Sequence, residues 1–592
     1  MKTHSLSMAA PWVVFLLLVG SPLRAVYSSQ SPTPSNAENF DGPAELPREH
    51  VKSSLNDTPA GGKTWTVRSG QSLEPVLSGA SCGDMIQLQA GATFSGSFVV
   101  PEKSCDDSHW IIIRTSAPDS SLPPEGTRLT PCYAGVSSLA GRPSLHCAST
   151  ENVLARIEFN GKGGSGPIFF AAGANHYRLI GLEITRALSP ASVSNLIQFR
   201  GPAHHLVFDR LWMHGTAHDE TVRGIMLGPT RYVAVVDSFF SDFHCVAKSG
   251  SCLDAQAVAG GLGDNPMGPY KIVNNFLEAA AENILFGGGQ ATMTPVDIEI
   301  RHNHMFRPMQ WRPGDPNYVG GRDGNPFIVK NCFELKNAQR VLVEGNVMEN
   351  SWGGFSQAGF AVLLTPKNQN NQCPLCRVTD VTIRYNKIAH MGSGLQIGNG
   401  LSDAGGASTD GGRYSIHDVV FEDIAGPSYE GYGAFAQISA AGPPLHDVRL
   451  DHITAFPPRS IFMLGVKTSM KISNFVFTNS IVSTGSQPIS SAGGGPANCA
   501  FQPERQGIRN LLENCFPNAT VSHNAIVGDS TGWPKGNMTV KNLQALGFAS
   551  VEKDRVVDFH LLPNSRCKQA GSDRKDLGAD VAAVDSATAG TW

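Results

Sequence analysis

The chain has 592 residues, of which 63 are glycine and only 16% are charged, a composition typical of turn-rich β proteins that argues against a helical bundle. The net charge is −4 with both signs scattered, so we predict no nucleic-acid partner and no anionic membrane partner. A chain of this length ordinarily forms several domains, but a solenoid grows by adding coils, so one long domain is equally compatible.

The N-terminus has the pattern of a secretory signal peptide, predicted over residues 1–27. Lys2 and His4 precede an apolar core at Pro11–Gly20, and small residues follow it. This core is short for a bilayer span, so we predict cleavage and a secreted protein, extracellular or periplasmic, without a membrane span. Residues 28–62 are rich in Pro, Ser, Asn and Glu and predict a flexible linker.

Twelve cysteines fit an exported protein. Cys373 and Cys376 have the spacing of a redox motif or half a zinc site, but the chain has no second CxxC, which favours a loop-pinning disulfide. Proximity predicts five local disulfides and leaves Cys332 and Cys567 over. The predicted pairs are Cys82–Cys105, Cys132–Cys147, Cys245–Cys252, Cys373–Cys376 and Cys499–Cys515.

One phrase recurs along residues 231–390: alternating apolar and polar residues, then an Asn, then an apolar residue two positions on. The alternation predicts strands, and the uneven spacing of the copies argues against a helical repeat of fixed length. A second short apolar run follows most copies, as in NILFGGG (Asn283–Gly289). The copies are RYVAVVDSFF, with Asp237 in the Asn place, KIVNNFLEA, DIEIRHNHMF, RVLVEGNVME and DVTIRYNKIA.

Two or three strands per turn, joined by Gly and Asn corners, predict an all-β right-handed parallel β-helix. An Asn repeated at one corner adopts the left-handed conformation readily and hydrogen-bonds to the next coil. We therefore interpret Asn275, Asn303, Asn346 and Asn386 as a structural ladder. The predicted organisation is an N-terminal cap and first coil (63–116) with a helix near Leu73–Leu77, an insertion (117–166), coils (167–485), and an irregular C-terminal segment with a closing strand (486–592).

Several longer phrases carry a resemblance to a known group, among them AENILFGGG (Ala281–Gly289), VDIEIRHNHMFRP (Val296–Pro308) and VTDVTIRYN (Val378–Asn386). Over Thr64–Val584 the chain resembles the parallel β-helix proteins of the pectate-lyase-like superfamily, most of all secreted bacterial members. The resemblance implies the fold. It does not set the reaction, because this fold hosts lyases, hydrolases and adhesins, and the residue series of pectate lyases and polygalacturonases are missing here.

A uronic-acid lyase needs a group that neutralises the sugar carboxylate, a proton acceptor and an acid for the leaving oxygen. In FELKNA (Phe333–Ala338), strand alternation points Glu334 and Lys336 outward together. We predict Lys336 as the base and Glu334 as its partner; the alternative is a solvated surface ion pair.

Asp254 and Glu282 align on neighbouring coils, with Gln256 close by. Two acids at this spacing suit Ca²⁺ binding or the two sides of a glycosidic bond. The alternative for Glu282 is a buried carboxyl group that caps a corner.

Substrate-binding candidates follow in RHNHMFRPMQWRPGD. His302 and His304 are expected on one strand face, next to Arg301, as a polar groove wall, and we predict no metal site there. Trp311 and Arg312 lie on the following loop, where an aromatic ring and a guanidinium suit sugar stacking and carboxylate recognition.

The sequence thus predicts a secreted, monomeric β-helix that binds polysaccharide, with eliminative cleavage of an acidic polymer as the first hypothesis. Hydrolysis by Asp254 and Glu282 is the second, and a non-catalytic surface or structural protein is the third. An enzyme requires the candidate residues to converge in one cleft, whereas a structural protein allows them to scatter.

Overall fold

Short parallel strands stack coil upon coil along the chain, as the repeated phrase predicts. The computed structural model describes residues 39–246, 254–528 and 531–592. The predicted signal peptide, the first part of the predicted linker and Cys252 lie outside the described residues. A full coil contributes three strands, one to each of three faces, which confirms the right-handed parallel β-helix.

The strands of each face hydrogen-bond in register to the equivalent strands of the neighbouring coils. The first face comprises Thr64–Val67, Met85–Leu88, Ile111–Thr115, Asn175–Ile180, Ala203–Asp209, Thr230–Val236, Tyr270–Val273, Val296–Arg301, Ala338–Glu344, Arg377–Arg384, Asp410–Phe421, His446–Ala455, Val476–Thr478 and Thr520–Ser522. The second face comprises Thr93–Ser95, Ala155–Phe159, Leu182–Arg186, Trp212–His214, Phe239–Phe243, Phe276–Ala279, His304–Phe306, Val347–Ser351, Lys387–Met391, Ile481–Ser483, Ala525–Val527 and Met538–Val540. The third face comprises Phe98–Val100, Ile168–Phe170, Ile197–Phe199, Arg223–Met226, Gln256–Gly260, Glu282–Phe286, Phe333–Leu335, Phe360–Leu364, Ser393–Asn399, Ala434–Ala440, Ser460–Val466 and Ile489–Ser491.

Two long strands join the first and second faces. Asp410–Phe421 and His446–Ala455 pair with both faces because they run through the corner between them. The two faces therefore form one 26-stranded sheet, whereas the third face is a separate 12-stranded sheet. Inward side chains of all three faces make one continuous apolar core, to which each fully buried aliphatic side chain contributes about 1.5–3 kcal/mol.

The asparagine ladder lies at the corner between the first and second faces. The backbone N–H of Asn303 donates to Asn346 Oδ1 (2.9 Å), and that of Asn346 donates to Asn386 Oδ1 (2.8 Å). The side-chain amides continue the same chain of bonds, 3.0 Å apart. These side chains are fully buried, so the ladder supplies hydrogen bonds to backbone groups that water cannot reach.

Two details of the predicted ladder are wrong. The left-handed residue is the one before the ladder Asn, as at Asn274 and His302, both with φ of 58°. Asp237 has φ of 54° and belongs to that preceding position, while the N–H of Ser238 donates to Asn275 Oδ1 (2.9 Å). The turn residue takes the left-handed conformation so that the next side chain points along the solenoid.

A second ladder of left-handed residues runs near the start of the first-face strands. Asp297, Arg340, Asp380 and Arg413 occupy it on successive coils, with φ between 54° and 62°. Arg340 donates to both oxygens of Asp297 (2.6 and 3.0 Å), and Arg413 donates to both oxygens of Asp380 (2.7 and 2.8 Å). We call these four residues the Asp–Arg ladder.

Residues 39–62, which we call the strap, lie against the first face, and the predicted flexible linker is wrong for them. Asp41 contacts Arg384 (2.7 Å) and His417 (3.0 Å). The N–H of Arg48 donates to Asp297 Oδ1 (2.9 Å) further down the solenoid, and the buried Arg178 donates to the backbone oxygen of Ser53 (3.0 Å). The strap thus crosses the Asp–Arg ladder from late coils to early ones.

Three predicted boundaries shift. The helix near the start is Glu74–Gly79, close to its predicted place. The insertion ends earlier than predicted, because Ala155–Phe159 already pairs in the second face. At the other end, parallel pairing continues to Met538–Val540.

The C-terminal segment is more regular than predicted. It contains the helices Ile508–Cys515 and Val581–Thr588 and an antiparallel hairpin of Phe548–Glu552 with Arg555–Leu561. The small N-terminal hairpin pairs Phe40–Asp41 with Ala44–Glu45.

Four of the predicted disulfides are present in the described residues: Cys82–Cys105, Cys132–Cys147, Cys373–Cys376 and Cys499–Cys515. Cys245 is also disulfide-bonded, but its predicted partner lies outside the described residues. Cys332 and Cys567 are buried free thiols. Within the described residues, none of the helices is both long and apolar enough to traverse a bilayer.

Candidate functional site

Five of the predicted site residues come together on the third face. Gln256 and Glu282 are direct neighbours in register on adjacent strands, and Glu334 lies one coil further on, opposite Leu285. Matching the strands of neighbouring coils by sequence predicts that Asp254 lies beside Glu282. In the structure Gln256 takes that place, and Asp254 reaches Glu282 through a lysine.

Glu282 lies at the bottom of this group and is fully buried. Its Oε2 accepts a hydrogen bond from Gln256 Nε2 (2.7 Å), and Arg223 Nε donates to Gln256 Oε1 (2.7 Å). Its Oε1 has no hydrogen-bond partner among the described residues. The adjoining corner is capped instead by Asn283, whose amide donates to the backbone oxygens of Leu277 and Phe306. Glu282 therefore does not cap the corner.

Lys330 links the two acids, and no sequence pattern points to it. It lies in the loop before the strand Phe333–Leu335, and its Nζ contacts Asp254 Oδ1 and lies 3.8 Å from Glu282 Oε1. Its ammonium group stands between the two carboxyl groups, where a bridging Ca²⁺ would need to be. The residues present therefore do not fit the Ca²⁺ site that the sequence suggested.

Glu334 and Lys336 form the other half of the group. Lys336 Nζ lies 3.2 Å from Glu334 Oε1, and Asn331 Nδ2 donates to Glu334 Oε2 (3.1 Å). Gly287, with φ of 100°, lets the backbone pass under Lys336, since a Cβ there would lie 2.9 Å from Lys336 Cβ. The predicted outward ion pair is present, but it is largely buried rather than solvated.

We call this group the third-face cluster. It comprises Arg223, Asp254, Gln256, Glu282, Lys330, Glu334 and Lys336. Its outer members reach solvent, with 26% of the Asp254 side chain and 18% of the Lys336 side chain exposed, while Glu282 is closed off beneath them.

The cluster shifts two pKa values in ways that matter for chemistry. Burial, reinforced by the charge of Asp254, raises the pKa of Glu282 to about 8. Burial alone would lower the pKa of Lys336, but the carboxyl groups of Glu334, Glu282 and Asp254 outweigh it and raise that pKa above its ordinary value. Lys336 is thus a cation at neutral pH and a poor proton acceptor, contrary to its predicted role as the base.

The predicted histidine wall is not a single wall. His302 sits in the left-handed turn between two faces and lies 3.1 Å from the backbone oxygen of Ala587. His304 is buried, with its Nε2 2.6 Å from Glu349. Arg301 lies near Glu299 and Glu344 on the first face. None of these contacts involves the third-face cluster.

Trp311 and Arg312 occupy the loop after these residues. Trp311 is only 1% exposed and packs edge-on against His244 and Phe327, so it offers no ring face to a sugar in this conformation. Arg312 lies over the ring of Tyr429 and donates to the backbone oxygen of Ser428.

Two members of the cluster were left out of the predicted site. Arg223 could have been found by extending the third-face register by one coil, since it pairs directly with Gln256. Lys330 carries no such signal because it lies on a loop, where strand alternation gives no direction.

Comparison with solved structures finds, among others, two lyases and an exopolygalacturonase at low similarity. A mannuronic-acid-specific family 6 polysaccharide lyase from human gut microbiota is 12% identical over 81% of this chain and 91% of its own, with a TM-score of 0.41. An alginate lyase from Paenibacillus is 14% identical over 74% and 96% of the two chains, with a TM-score of 0.29.

A family 28 exopolygalacturonase from Yersinia enterocolitica is 12% identical over 78% of this chain and 75% of its own, with a TM-score of 0.31. At these values the likenesses bear on neither substrate nor mechanism. No protein-family model and no curated protein sequence matches the chain.

Proposed function

We propose that this protein is a secreted, monomeric enzyme that binds an acidic polysaccharide across its third face and cleaves it by β-elimination. The observation that carries the proposal is Glu282: a buried carboxyl group with one unbonded oxygen and a pKa near neutrality, set among basic side chains. The disulfides and the predicted signal peptide support export.

Charge in the cluster favours an anionic substrate. With the pKa of Glu282 at about 8, this carboxyl group is mostly protonated at pH 7. Three basic side chains, Arg223, Lys330 and Lys336, then face only two further acidic side chains, Asp254 and Glu334. The excess positive charge suits a uronate carboxylate, which would neutralise it.

Binding of a uronate would also expose the buried acid. Lys330 covers Glu282 and is held by Asp254, so a substrate carboxylate competes for the same ammonium group. When Lys330 turns to the substrate, Glu282 Oε1 faces the sugar ring.

In the elimination, Glu282 in its ionised form takes the proton beside the uronate carboxylate, and the electron pair left behind expels the glycosidic oxygen. Lys330 and Arg223 stabilise the charge that develops on the carboxylate. Lys336, a cation with a raised pKa, gives its proton to the leaving oxygen. A base whose pKa lies near the working pH transfers protons efficiently in both directions.

Hydrolysis is the second candidate, because Asp254 and Glu282 both contact the same lysine. Two carboxyl groups in different environments suit the acid and the base of a glycosidase. In that case protonated Glu282 is the acid, and activity falls as pH rises past 8, whereas the elimination above gains activity over the same range.

The test is incubation of the untagged protein with a panel of uronic-acid polymers while the absorbance of the unsaturated product is followed. Product formation that E282Q abolishes, and that the remote variant E344Q leaves unchanged, is the expected result. Reducing ends without that absorbance would favour hydrolysis. Binding of the polymers without any cleavage would leave a carbohydrate-binding protein and refute both reactions.

A further inference from the structure

Three histidines, His176, His204 and His205, meet on the first face near the N-terminal end of the solenoid, whereas the third-face cluster lies on another face. His176 and His205 occupy left-handed positions on adjacent coils, with φ of 56° and 53°. Their rings stack at 4.6 Å, and His205 stacks in turn on Tyr232 at 4.6 Å. The three stacked residues occupy the same register position as Asp297 and the other members of the Asp–Arg ladder, which lie on later coils.

Ring stacking does not account for His204. Its Nδ1 lies 2.7 Å from Nδ1 of His205, although a half-exposed side chain at this position could point to solvent. Nitrogen atoms of His176, His204 and His205 all lie within 4.8 Å of one another. Two imidazole nitrogens on one tetrahedral Zn²⁺ are about 3.3 Å apart, given Zn–N distances of about 2.0 Å. Small side-chain rotations therefore bring the three rings onto one ion.

The burial of two of these rings, His204 and His205, also favours metal binding. Burial, together with the charges of His176 and His204, lowers the pKa of His205 to about 4. Burial and the charge of His176 likewise lower the pKa of His204. Neutral imidazole is the form that binds metals, so both shifts favour the binding form of His204 and His205.

A carboxylate and an open space complete the surroundings. Asp107 Oδ1 lies 3.2 Å from His176 Nε2, and this side chain is 84% exposed, so it can turn towards an ion. A cavity of about 520 Å³ lies between the strap and the first face. Asp107, His205 and Tyr232 line it on one side, and His50 and Lys52 of the strap line it on the other. Ions and water in this cavity thus have access to His205 and Asp107.

We propose that His176, His204 and His205 bind one divalent transition-metal ion of the Zn²⁺ type, with Asp107 as the fourth ligand. Three imidazoles and a carboxylate match the ligand preference of Zn²⁺ and Co²⁺ rather than that of Ca²⁺ or Mg²⁺. The site is independent of the proposed polysaccharide cleavage, because it lies on another face and shares no residue with the third-face cluster.

The test uses the full-length, untagged protein after dialysis against a chelator. Titration with Co²⁺ should give the visible absorption of a tetrahedral complex that saturates at one equivalent, and Zn²⁺ should displace it. H204A should weaken Zn²⁺ binding at least tenfold in calorimetry, and D107N should weaken it by about 10–100-fold. Thermal unfolding of H204A verifies that the variant is folded, since His204 has no left-handed backbone to disturb.

H523A is the control, because His523 is an exposed histidine that directly follows a first-face strand and lies outside the cluster. It should bind Zn²⁺ like the wild-type protein. Failure of the wild-type protein to bind one equivalent of Co²⁺ or Zn²⁺ would overturn the proposal. Equal loss of affinity in H523A and H204A would overturn it as well.

Discussion

The Asp–Arg ladder and the third-face cluster both stack charged side chains coil upon coil, yet they treat those charges differently. In the ladder each Arg donates two hydrogen bonds to one Asp, as Arg340 does to Asp297. In the cluster Glu282 Oε1 has no hydrogen-bond partner among the described residues, and the nearest ammonium, that of Lys330, is 3.8 Å away.

The difference shows how a repetitive scaffold separates stability from chemistry. Alternating signs at one register position let the charges pair two by two, Asp297 with Arg340 and Asp380 with Arg413, and the strap adds backbone N–H donors. The cluster breaks the alternation, because Gln256 and Glu282 are followed by Asn331 at the next coil rather than by an arginine. What remains is a carboxyl group whose proton is held near neutral pH, a property that concentrates at functional sites.

The largest expected effect comes from E282Q, which removes the ionisable group and keeps the hydrogen bond partner of Gln256. We expect cleavage of the preferred uronic-acid polymer to fall about 10²–10⁴-fold, the usual contribution of a general acid or base. Initial rates measured with E344Q, whose carboxylate pairs with Arg384 on the first face, serve as the control. A rate for E282Q within threefold of wild type would remove Glu282 from the mechanism.

A second effect of Glu282 concerns stability against pH. The folded chain raises its pKa from 4.5 to about 8, so the stability from this group is fully present below pH 4.5 and is lost as pH rises through about 8. Gln cannot release a proton, so the unfolding free energy of wild type relative to E282Q should fall by up to about 4 kcal/mol across this window. Urea unfolding at several pH values measures it, and parallel curves for the two proteins would contradict the assigned pKa.

Substitution in the Asp–Arg ladder should lower stability and leave cleavage activity unchanged, whereas E282Q in the third-face cluster should lower cleavage activity. D297N removes the carboxylate that forms an ion pair with Arg340. It leaves the largely buried guanidinium of Arg340 without its bidentate partner. We expect a loss of about 3 kcal/mol in unfolding free energy with unchanged cleavage activity. Urea unfolding and polymer cleavage measured on the same preparation test both halves, and D106N, at an exposed carboxylate, controls for charge alone. A large loss of cleavage activity in D297N would show that the Asp–Arg ladder, like the third-face cluster, takes part in the reaction.

The smallest expected effect concerns the strap. Burial alone would raise the pKa of Asp41, but His417 and Arg384 lower it to about 2; burial alone would lower the pKa of His417, but Asp41 and Asp418 raise it to about 9. Stability from Asp41 is present above pH 3.8 and lost as pH falls through 2. Stability from His417 is present below pH 6.5 and lost as pH rises through 9.

D41N should therefore cost about 1 kcal/mol between pH 4 and 6.5 and less at pH 9. Limited proteolysis should cut residues 39–62 of D41N faster than those of wild type, with cleavage elsewhere unchanged. Equal cleavage rates in the two proteins would show that Asp41 does not hold the strap in place.

The sequence predicts the fold well because strand alternation and the corner asparagines repeat. Each copy alone is weak evidence for a strand or a corner, but many copies together indicate a solenoid. It predicts the convergence of Asp254, Gln256, Glu282, Glu334 and Lys336 for the same reason, since all lie on or next to third-face strands. Lys330 was missed because loop residues follow no period. The burial of Trp311 was missed because a loop aromatic residue next to a groove and one folded into the protein look alike in sequence.

The strap was mistaken for a linker because its composition lacks the apolar residues that ordinarily fix a segment. Asp41, Glu45 and Arg48 hold it through charges and backbone hydrogen bonds to residues that come hundreds of positions later. Composition measures what a segment can bury, and it does not register the partners that a distant part of the chain supplies.

The strap also sets an order of events during synthesis. Asp41 leaves the ribosome early, but its partner His417 follows 376 residues later. At translation rates of about 5–20 residues per second, the strap waits roughly 20–75 s for its last contact while the coils beneath it accumulate. The nascent chain thus carries an unfastened strap while the coils beneath it are made, and a segment that is synthesised first is fastened last.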